Sequence, residues 1–353
     1  MQTQFETLVD LAQAVEDEAK KKHDFIADTS HLTLRDDGNV LAAGAEGDTF
    51  QVDAHCHRQI GARLGIPSKY YDKMRKEIPD LLADNVNAWF RKRPEKRMVR
   101  TLAGTARAFL SDRFQRIDNI DILQGVFPVL QEVQQQHPIA VRSCALTSTK
   151  MHLKLTVPEI KGEVGVGDIC EAGFDFRNGE IGNSMFEGSP FVYRLICLNG
   201  MRTQDGSIKK MHVGARADIG DASYEALTDE TLKLDDRVLM LKARDLVNYT
   251  LRQENFDKLL GHFREAAGEK IEGNPAKAIE VLAHSNGLTD DEQGSVLRHL
   301  IEGGDLSKWG VANAVTRTAQ DIEDYDRADD FVGLGGKVVD LAANQWSEIA
   351  IAA

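Results

Sequence analysis

The chain changes its pattern near residue 217, and this change limits what it can fold into. Between residues 139 and 213, short apolar stretches of strand length alternate with turn residues; after residue 221, apolar residues recur at helical spacing. Helical spacing also comes early, within residues 4–90. Strands and helices in separate stretches predict an α+β fold: a central, mainly antiparallel sheet with an N-terminal helical part and a helical C-terminal region.

The strand pattern is clearest in residues 151–157. There Met151, Leu153, Leu155 and Val157 alternate with polar residues, as expected of a strand with one face in solvent. The Asn178-Gly179 pair predicts a two-residue hairpin turn. We place the strands at residues 139–147, 151–157, 168–176, 180–185, 191–198 and 207–213, and the later helices at residues 222–226, 235–266, 275–284, 289–301 and 309–325.

The net charge of −13 is concentrated in the helical C-terminal region. Residues 217–353 hold 27 of the 56 acidic residues and 14 of the 43 basic ones, so residues 1–216 are neutral overall. We therefore predict two regions, an α+β core domain at 1–216 and an acidic, mainly helical region at 217–353. An acidic surface of this kind can bind a host protein or mimic nucleic acid.

Residues 91–117 form a basic segment with nine basic and two acidic residues. The basic residues, which we predict to contact phosphates, are Arg91, Lys92, Arg93, Lys96, Arg97, Arg100, Arg107, Arg113 and Arg116. The aromatic candidates for stacking on bases are Trp89, Phe90, Phe109 and Phe114. Cations beside aromatic rings are typical of proteins that bind single strands, although a solvated charged turn with its aromatic residues in the core is the alternative.

The turn inside this segment sharpens the prediction. If Ala103-Gly104 is a two-residue turn, Leu102 pairs with Thr105 and Arg100 pairs with Arg107 on one face of a hairpin. Two like charges directly opposite each other destabilise a hairpin. We therefore expect an anion between the two arginines.

A second basic unit follows the strand that contains Arg194. This arginine interrupts the apolar run 191–198, and a buried arginine needs a carboxylate, carbonyls or a phosphate. A structural salt bridge and a ligand contact both remain open. Lys209 and Lys210 cannot share a face of the next strand, so one of them would extend a basic surface around Arg194.

Several chemical classes find no support in the sequence. The cysteines Cys56, Cys144, Cys170 and Cys197 are far apart, which argues against a zinc ribbon or a disulfide framework and favours reduced thiols in the cytoplasm. Asp53-Ala-His-Cys-His57 resembles a metal motif, but neighbouring helical side chains diverge, so we predict no metal. The sequence has no P-loop, no dinucleotide fingerprint and no Gly-x-Ser-x-Gly motif, so we name no cofactor and no catalytic residue. No apolar run is long enough to span a membrane and no secretory signal is visible.

Six sequence motifs together resemble the phage/plasmid-like protein family, a domain of unknown function carried on bacterial mobile elements. They are Gly65-Ile66-Pro67, Leu110–Phe114 followed by Ile117–Asn119, Asn178–Gly182, Arg194–Cys197 with Asn199-Gly200-Met201, His212-Val213-Gly214, and Trp309-Gly310-Val311 with Asn313–Thr316. The sequence departs from the family at Gly179, where a serine is expected. The resemblance implies a passenger of prophages or plasmids in a bacterial cell, with a core similar to that of Red-beta-type single-strand annealing proteins.

Three functional hypotheses follow. The first is a non-enzymatic nucleic-acid-binding protein, acting as a homo-oligomer on single-stranded DNA in replication, recombination or annealing. The second is a mobile-element interaction protein, for anti-restriction or host-factor binding, that acts through its acidic helices. The third is a metal-dependent nuclease or hydrolase whose site is assembled from residues distant in sequence.

Overall fold

The computed structural model describes residues 2–44, 47–114, 116–184, 186–203, 207–210 and 229–352. Within these residues the chain forms helices and mainly antiparallel sheets, so the α+β prediction is confirmed. The predicted helix at 222–226 and the boundary near residue 217 lie outside the described residues.

Strands and helices alternate irregularly along the chain. The N-terminal half contains β1 (Thr3–Phe5), α1 (Leu8–Lys20), β2 (Phe25–Asp28), β3 (Leu32–Leu34), β4 (Val40–Ala43), β5 (Thr49–Val52), α2 (Ala54–Leu64), α3 (Ser68–Glu77), α4 (Pro79–Lys92), β6 (Lys96–Leu102), β7 (Thr105–Ser111), α5 (Asn119–Gln136) and β8 (Ala140–Leu146). The remainder contains β9 (Met151–Glu163), β10 (Ile169–Asn178), β11 (Phe186–Arg194), β12 (Asn199–Arg202), β13 (Ile208–Lys210), α6 (Asp229–Thr250), α7 (Gln253–Gly268), α8 (Pro275–Asn286), α9 (Asp290–Gly303), α10 (Lys308–Thr318), α11 (Tyr325–Val339) and α12 (Ala343–Ala350).

The strands divide into two sheets rather than one. The smaller sheet has the order β2-β6-β7-β5-β4-β3 and is antiparallel except where β5 lies parallel to β7. Apolar residues of α2, α3 and α4, among them Ile60, Met74 and Leu82, join Leu34 and Leu41 in a core of their own. The N-terminal helical part is thus combined with a sheet of which the sequence predicted the β6–β7 hairpin but not the remaining pairing.

The larger sheet carries the main core. Its strands run in the order β1-β8-β9-β10-β11-β12, with β13 also paired to β11, and all its pairs are antiparallel. Its outer strands are short: β1 and β13 have three residues each and β12 has four. The helices of residues 229–352 bury Leu260, Trp309 and Phe331 in the same core as Phe174 of this sheet.

The two faces of the larger sheet differ in chemistry. Pairing places Leu155 and Phe174 on an apolar face, and it places Lys154, Asp175 and Ser189 together on the opposite face. The expectation that this second face of β9 meets solvent is wrong, because α11 covers it and both faces of residues 151–157 are buried.

Burying charges at this face requires partners, and α11 supplies a carboxylate. Asp329 lies 2.6 Å from Lys154 Nζ, 2.7 Å from Arg202 Nη2 and 3.1 Å from Arg177 Nη1. Burial by itself would raise the pKa of Asp329, but Arg202 and Lys154 hold it well below its usual value. This buried network fixes α11 on the charged face of the sheet.

Candidate nucleic-acid interface

The basic segment 91–117 runs from the end of α4 through the β6–β7 hairpin to the loop before α5. The structure separates its cations into two groups. Arg91, Lys92, Arg93 and Lys96 are exposed, and none of them forms a salt bridge with another described residue. The arginines of the hairpin point inward and are paired.

The first group lies at the end of α4, an amphipathic helix that packs Leu82, Val86 and Phe90 inward. Its last turn is basic, and cations there are stabilised by the negative end of the helix dipole. Trp89 is half-buried in this turn. Lys92 Nζ and the Arg93 guanidinium carbon lie 5.2 and 5.3 Å from the centre of its ring. We call Trp89, Arg91, Lys92, Arg93 and Lys96 the α4 patch.

Arg100 belongs to the second group and is only 2% exposed. Its Nε donates to Asp24 Oδ2 at 2.8 Å, its Nη1 donates to the Glu180 carbonyl oxygen at 2.7 Å, and its Nη2 pairs with Asp118. Although burial opposes it, Asp118 and Asp24 raise the pKa of Arg100. These groups already occupy the guanidinium, which leaves no room for a phosphate.

Arg107 is bound to an internal anion as well. Its Nη2 donates to Glu180 Oε2 at 3.2 Å, while Lys22 Nζ and the Asn119 backbone N–H donate to Glu180 Oε1. The expected anion beside the two arginines is therefore a carboxylate of the chain. Burial would raise the pKa of Glu180, but Lys22 and Arg107 keep it below its usual value.

The pairing of Arg100 with Arg107 is wrong. The two-residue turn is present, with Ala103 and Gly104 at φ values of 49° and 80°, and Leu102 pairs with Thr105 as expected. A shift of register then places Arg100 opposite Ala108. The bulge leaves Arg107 outside the regular pairing, and the two guanidinium groups bind different parts of Glu180, Arg100 its carbonyl oxygen and Arg107 its carboxylate.

The other three arginines of the segment differ from one another in exposure. Arg97 pairs with Glu95 at 3.0 Å and lies over the Phe109 ring. Arg116 is half-exposed, and the carboxylate of Asp24 is 3.8 Å away from it. Arg113 is exposed.

Arg194, in the second basic unit, is bound by residues that flank the larger sheet and by Trp309 of α10. Arg194 Nε donates to Asp168 Oδ1 at 2.5 Å and Nη1 to Cys197 Sγ at 3.2 Å, and the guanidinium lies over the Trp309 ring. Arg194 thus has a structural salt bridge, one of the two alternatives left open. The side chains of Lys209 and Lys210 lie outside the described residues.

Three of the four stacking candidates are core residues. Phe90, Phe109 and Phe114 are 1%, 4% and 7% exposed, and the first two stack on each other with centroids 5.6 Å apart. A base cannot reach these rings without opening the core, so the prediction that they bind bases is wrong. Trp89 remains as the accessible ring.

The residues of the rejected metal motif have other partners. Asp53 accepts from the Cys56 backbone N–H and caps α2, His55 Nε2 lies 3.1 Å from the Ile181 carbonyl oxygen, and His57 Nδ1 lies 2.9 Å from the Tyr71 hydroxyl. Across the described ranges, no three His, Cys, Asp or Glu side chains converge to hold a metal ion. In the same ranges, no helix is both long and apolar enough to cross a membrane.

Comparison with known proteins adds nothing to this picture. The chain matches no family model, no curated protein and no solved structure. Its resemblance to the phage/plasmid-like family therefore stays a prediction.

Proposed function

We propose that this protein binds single-stranded nucleic acid, with single-stranded DNA as the favoured ligand, through the α4 patch. The observation that supports the proposal is a half-buried Trp89 with Lys92 and Arg93 beside its ring, in a group of four exposed cations that form no salt bridge with another described residue. Stacking on an aromatic ring together with phosphate neutralisation is how sequence-tolerant single-strand binding is achieved.

The nearby acid strengthens this assignment. Glu95 lies between the exposed cations in sequence, but its carboxylate is bound by Arg63 and Arg97. Arg91 and Lys92 lie instead in the last turn of α4, where the helix dipole balances a cation more weakly than a carboxylate would, and Lys96 lies opposite Asp28 in the β2–β6 pair. A phosphate can therefore bind them without displacing an internal partner.

The α4 patch is small, and its size bears on whether the protein acts as a homo-oligomer. Four cations contribute little affinity at physiological salt if they act alone. Assembly into a homo-oligomer would align several patches along one strand and raise the affinity by multivalency. All four cysteines are free thiols, as expected of a protein that acts in a reducing compartment, the cytoplasm of a bacterial cell.

The test is the salt dependence of binding to a labelled oligothymidylate, followed by fluorescence anisotropy. Four phosphate contacts predict a log–log slope of about −3 per patch for single strands. The triple variant Arg91→Gln/Lys92→Gln/Arg93→Gln should bind at least tenfold more weakly and reduce the slope by about 2.

The matched control is Lys242→Gln/Lys258→Gln/Lys277→Gln, which removes three exposed positive charges from the C-terminal helices. It should keep both the affinity and the slope of the wild type. A flat slope in the wild type, or equal losses in the two triple variants, would refute the proposal. Cleavage of the oligonucleotide in the presence of Mg²⁺ would favour a nuclease instead.

A further inference from the structure

A cavity of about 350 Å³ lies where the charged face of the larger sheet meets α11. The sheet contributes Arg177, Glu187 and Arg202 to its wall. The helix α11 contributes Arg327, Asp330, Phe331, Gly333, Leu334 and Lys337, and the remaining lining residues are Thr203, Asn286 and Leu288. The cavity is separate in sequence and in fold from the α4 patch.

One donor of Arg202 has no partner among the described residues. The Arg202 side chain is 7% exposed, and its Nε and Nη2 are fixed by Asp175 at 2.6 Å and by Asp329 at 2.7 Å. No described residue accepts a hydrogen bond from Nη1, although the side chain lines the cavity. The guanidinium is thus held rigidly with one N–H group free, which is what a preorganised anion site needs.

Gly333 keeps the space beside this donor open. A Cβ at position 333 would lie 2.7 Å from Arg202 Nη1 and would meet no other side chain within 3.5 Å. Glycine lowers the stability of a helix interior by about 1 kcal/mol relative to alanine. The absent methyl group therefore leaves room at the point where the free N–H group needs a ligand.

The rest of the wall favours an anion with an apolar body. Four cationic side chains line the cavity, and three of them, Arg177, Arg202 and Arg327, are paired with carboxylates. Lys337 is exposed and has no ion pair among the described residues. Leu288 and Phe331 provide apolar surface beside these charges.

We propose that this cavity binds the phosphate monoester of a small molecule, with Arg202 Nη1 and Lys337 Nζ as the phosphate donors. A phosphate monoester carries a charge close to −2 at neutral pH and several acceptor oxygens, which suits a site that offers an unpartnered guanidinium N–H group and an exposed lysine. The volume falls in the range of about 300–1,000 Å³ that small-molecule sites occupy, and the apolar wall suits the organic part of such a ligand.

Calorimetric titration of the full chain distinguishes a phosphate site from a non-specific one. The probes are adenosine 5′-monophosphate, uridine 5′-monophosphate and the two free nucleosides. We expect at least one monophosphate to bind with a one-to-one stoichiometry and at least tenfold more tightly than its nucleoside, because charge-assisted hydrogen bonds depend on the phosphate. Equal affinity for monophosphate and nucleoside, or no heat from either monophosphate, would overturn the proposal.

Two variants test whether the ligand binds in this cavity, and neither of them removes a buried charge. Lys337→Gln removes an exposed cation, and Gly333→Ala puts a methyl group beside Arg202 Nη1 while favouring the helix. Each should weaken monophosphate binding about tenfold. Lys242→Gln, an exposed lysine of α6, is the control and should bind like the wild type.

Unchanged binding in both variants would place the ligand elsewhere and refute the site. The affinity of these variants for an oligonucleotide distinguishes a failure of this proposal from a failure of the function proposed above. Lys337→Gln and Gly333→Ala should keep it, since neither residue belongs to the α4 patch.

Discussion

Glu180 and Lys22 form a buried ion pair that joins the two sheets, with Lys22 Nζ 2.5 Å from Glu180 Oε1. Lys22 precedes β2 of the smaller sheet, and Glu180 follows β10 of the larger one. Arg107 of β7 approaches the same carboxylate from the smaller sheet. The relative position of the two sheets thus depends on this buried acid.

We expect Glu180→Gln to lower the free energy of unfolding by about 3–5 kcal/mol, because it leaves Lys22 and Arg107 buried without their counter-charge. Urea denaturation measures the change. Glu159→Gln is the matched control, since the Glu159 side chain is 55% exposed and pairs with the partly exposed His137. It should cost less than about 1 kcal/mol; similar losses in both variants would contradict the role of Glu180.

His57 should make the stability depend on pH between about 6.5 and 4. Burial, with a smaller effect of Arg75, lowers the pKa of His57 from its ordinary 6.5 to about 4. The folded state therefore binds this proton less readily than the unfolded state does. The contribution of the neutral His57 to stability is complete above pH 6.5 and is lost as the pH falls through 4, by about 3 kcal/mol.

Urea midpoints measured at several pH values test this dependence. His57→Gln should flatten the profile in that window, even if it lowers stability at pH 7 by disturbing the contact with Tyr71. His284→Gln changes an exposed histidine of α8 and should leave the profile unaltered. A wild-type profile in His57→Gln would show that another group titrates.

Arg100→Gln should separate stability from nucleic-acid binding. The substitution leaves Asp24 and Asp118 without their main cation, so we expect a loss of about 3–5 kcal/mol in unfolding free energy. Because Arg100 is not accessible to a phosphate, the folded variant should keep the affinity for oligothymidylate and its salt slope. A reduced salt slope in folded Arg100→Gln protein would show that this arginine contacts the nucleic acid.

Ala103→Asn should stabilise the β6–β7 hairpin. Ala103 is exposed at a φ of 49°, in the left-handed region that asparagine adopts more readily than alanine. We expect a gain of about 0.5 kcal/mol in urea denaturation. Gly104→Ala, with its φ of 80°, is the opposite change and should destabilise; a gain there would contradict the turn geometry.

The local sequence pattern predicted many of the helices and strands, but not how they pack against one another. The helix predicted at 309–325 ends at Thr318, and α11, which follows, was missed because Gly333, Gly335 and Gly336 weaken helix propensity. Packing explains those glycines. A Cβ at Gly336 would lie 1.8 Å from the Arg202 carbonyl oxygen, and one at Gly335 would lie 2.2 Å from Thr316 Cγ2.

Of the two tight turns predicted from the sequence, one is present and the other is not. The Ala103-Gly104 turn is correct, but Asn178 is the last residue of β10 and the chain returns only at Phe186. Asn178 is instead buried, where its Nδ2 donates to the Ile117 carbonyl oxygen and to Asn119 Oδ1. Such a tertiary role leaves no local signal.

The candidate nucleic-acid interface shows the same limit of prediction from local sequence. Composition located the basic segment 91–117, in which the structure leaves Arg91, Lys92, Arg93 and Lys96 exposed. It could not separate the α4 patch from Arg100 and Arg107, since their carboxylates come from residues 24, 118 and 180. A bulge and contacts over such distances along the chain are set by tertiary packing.

The short outer strands of both sheets have a consequence for self-association. Sheets extend from one molecule to the next when a long unpaired strand offers a row of free N–H and C=O groups. In this chain the strands at the described margins, β1, β12 and β13 in one sheet and β2 and β3 in the other, have no more than four residues each. If copies of this chain assemble on a polynucleotide as proposed, we expect them to meet through helices and side chains, and to remain separable, rather than fuse into a continuous β-ribbon.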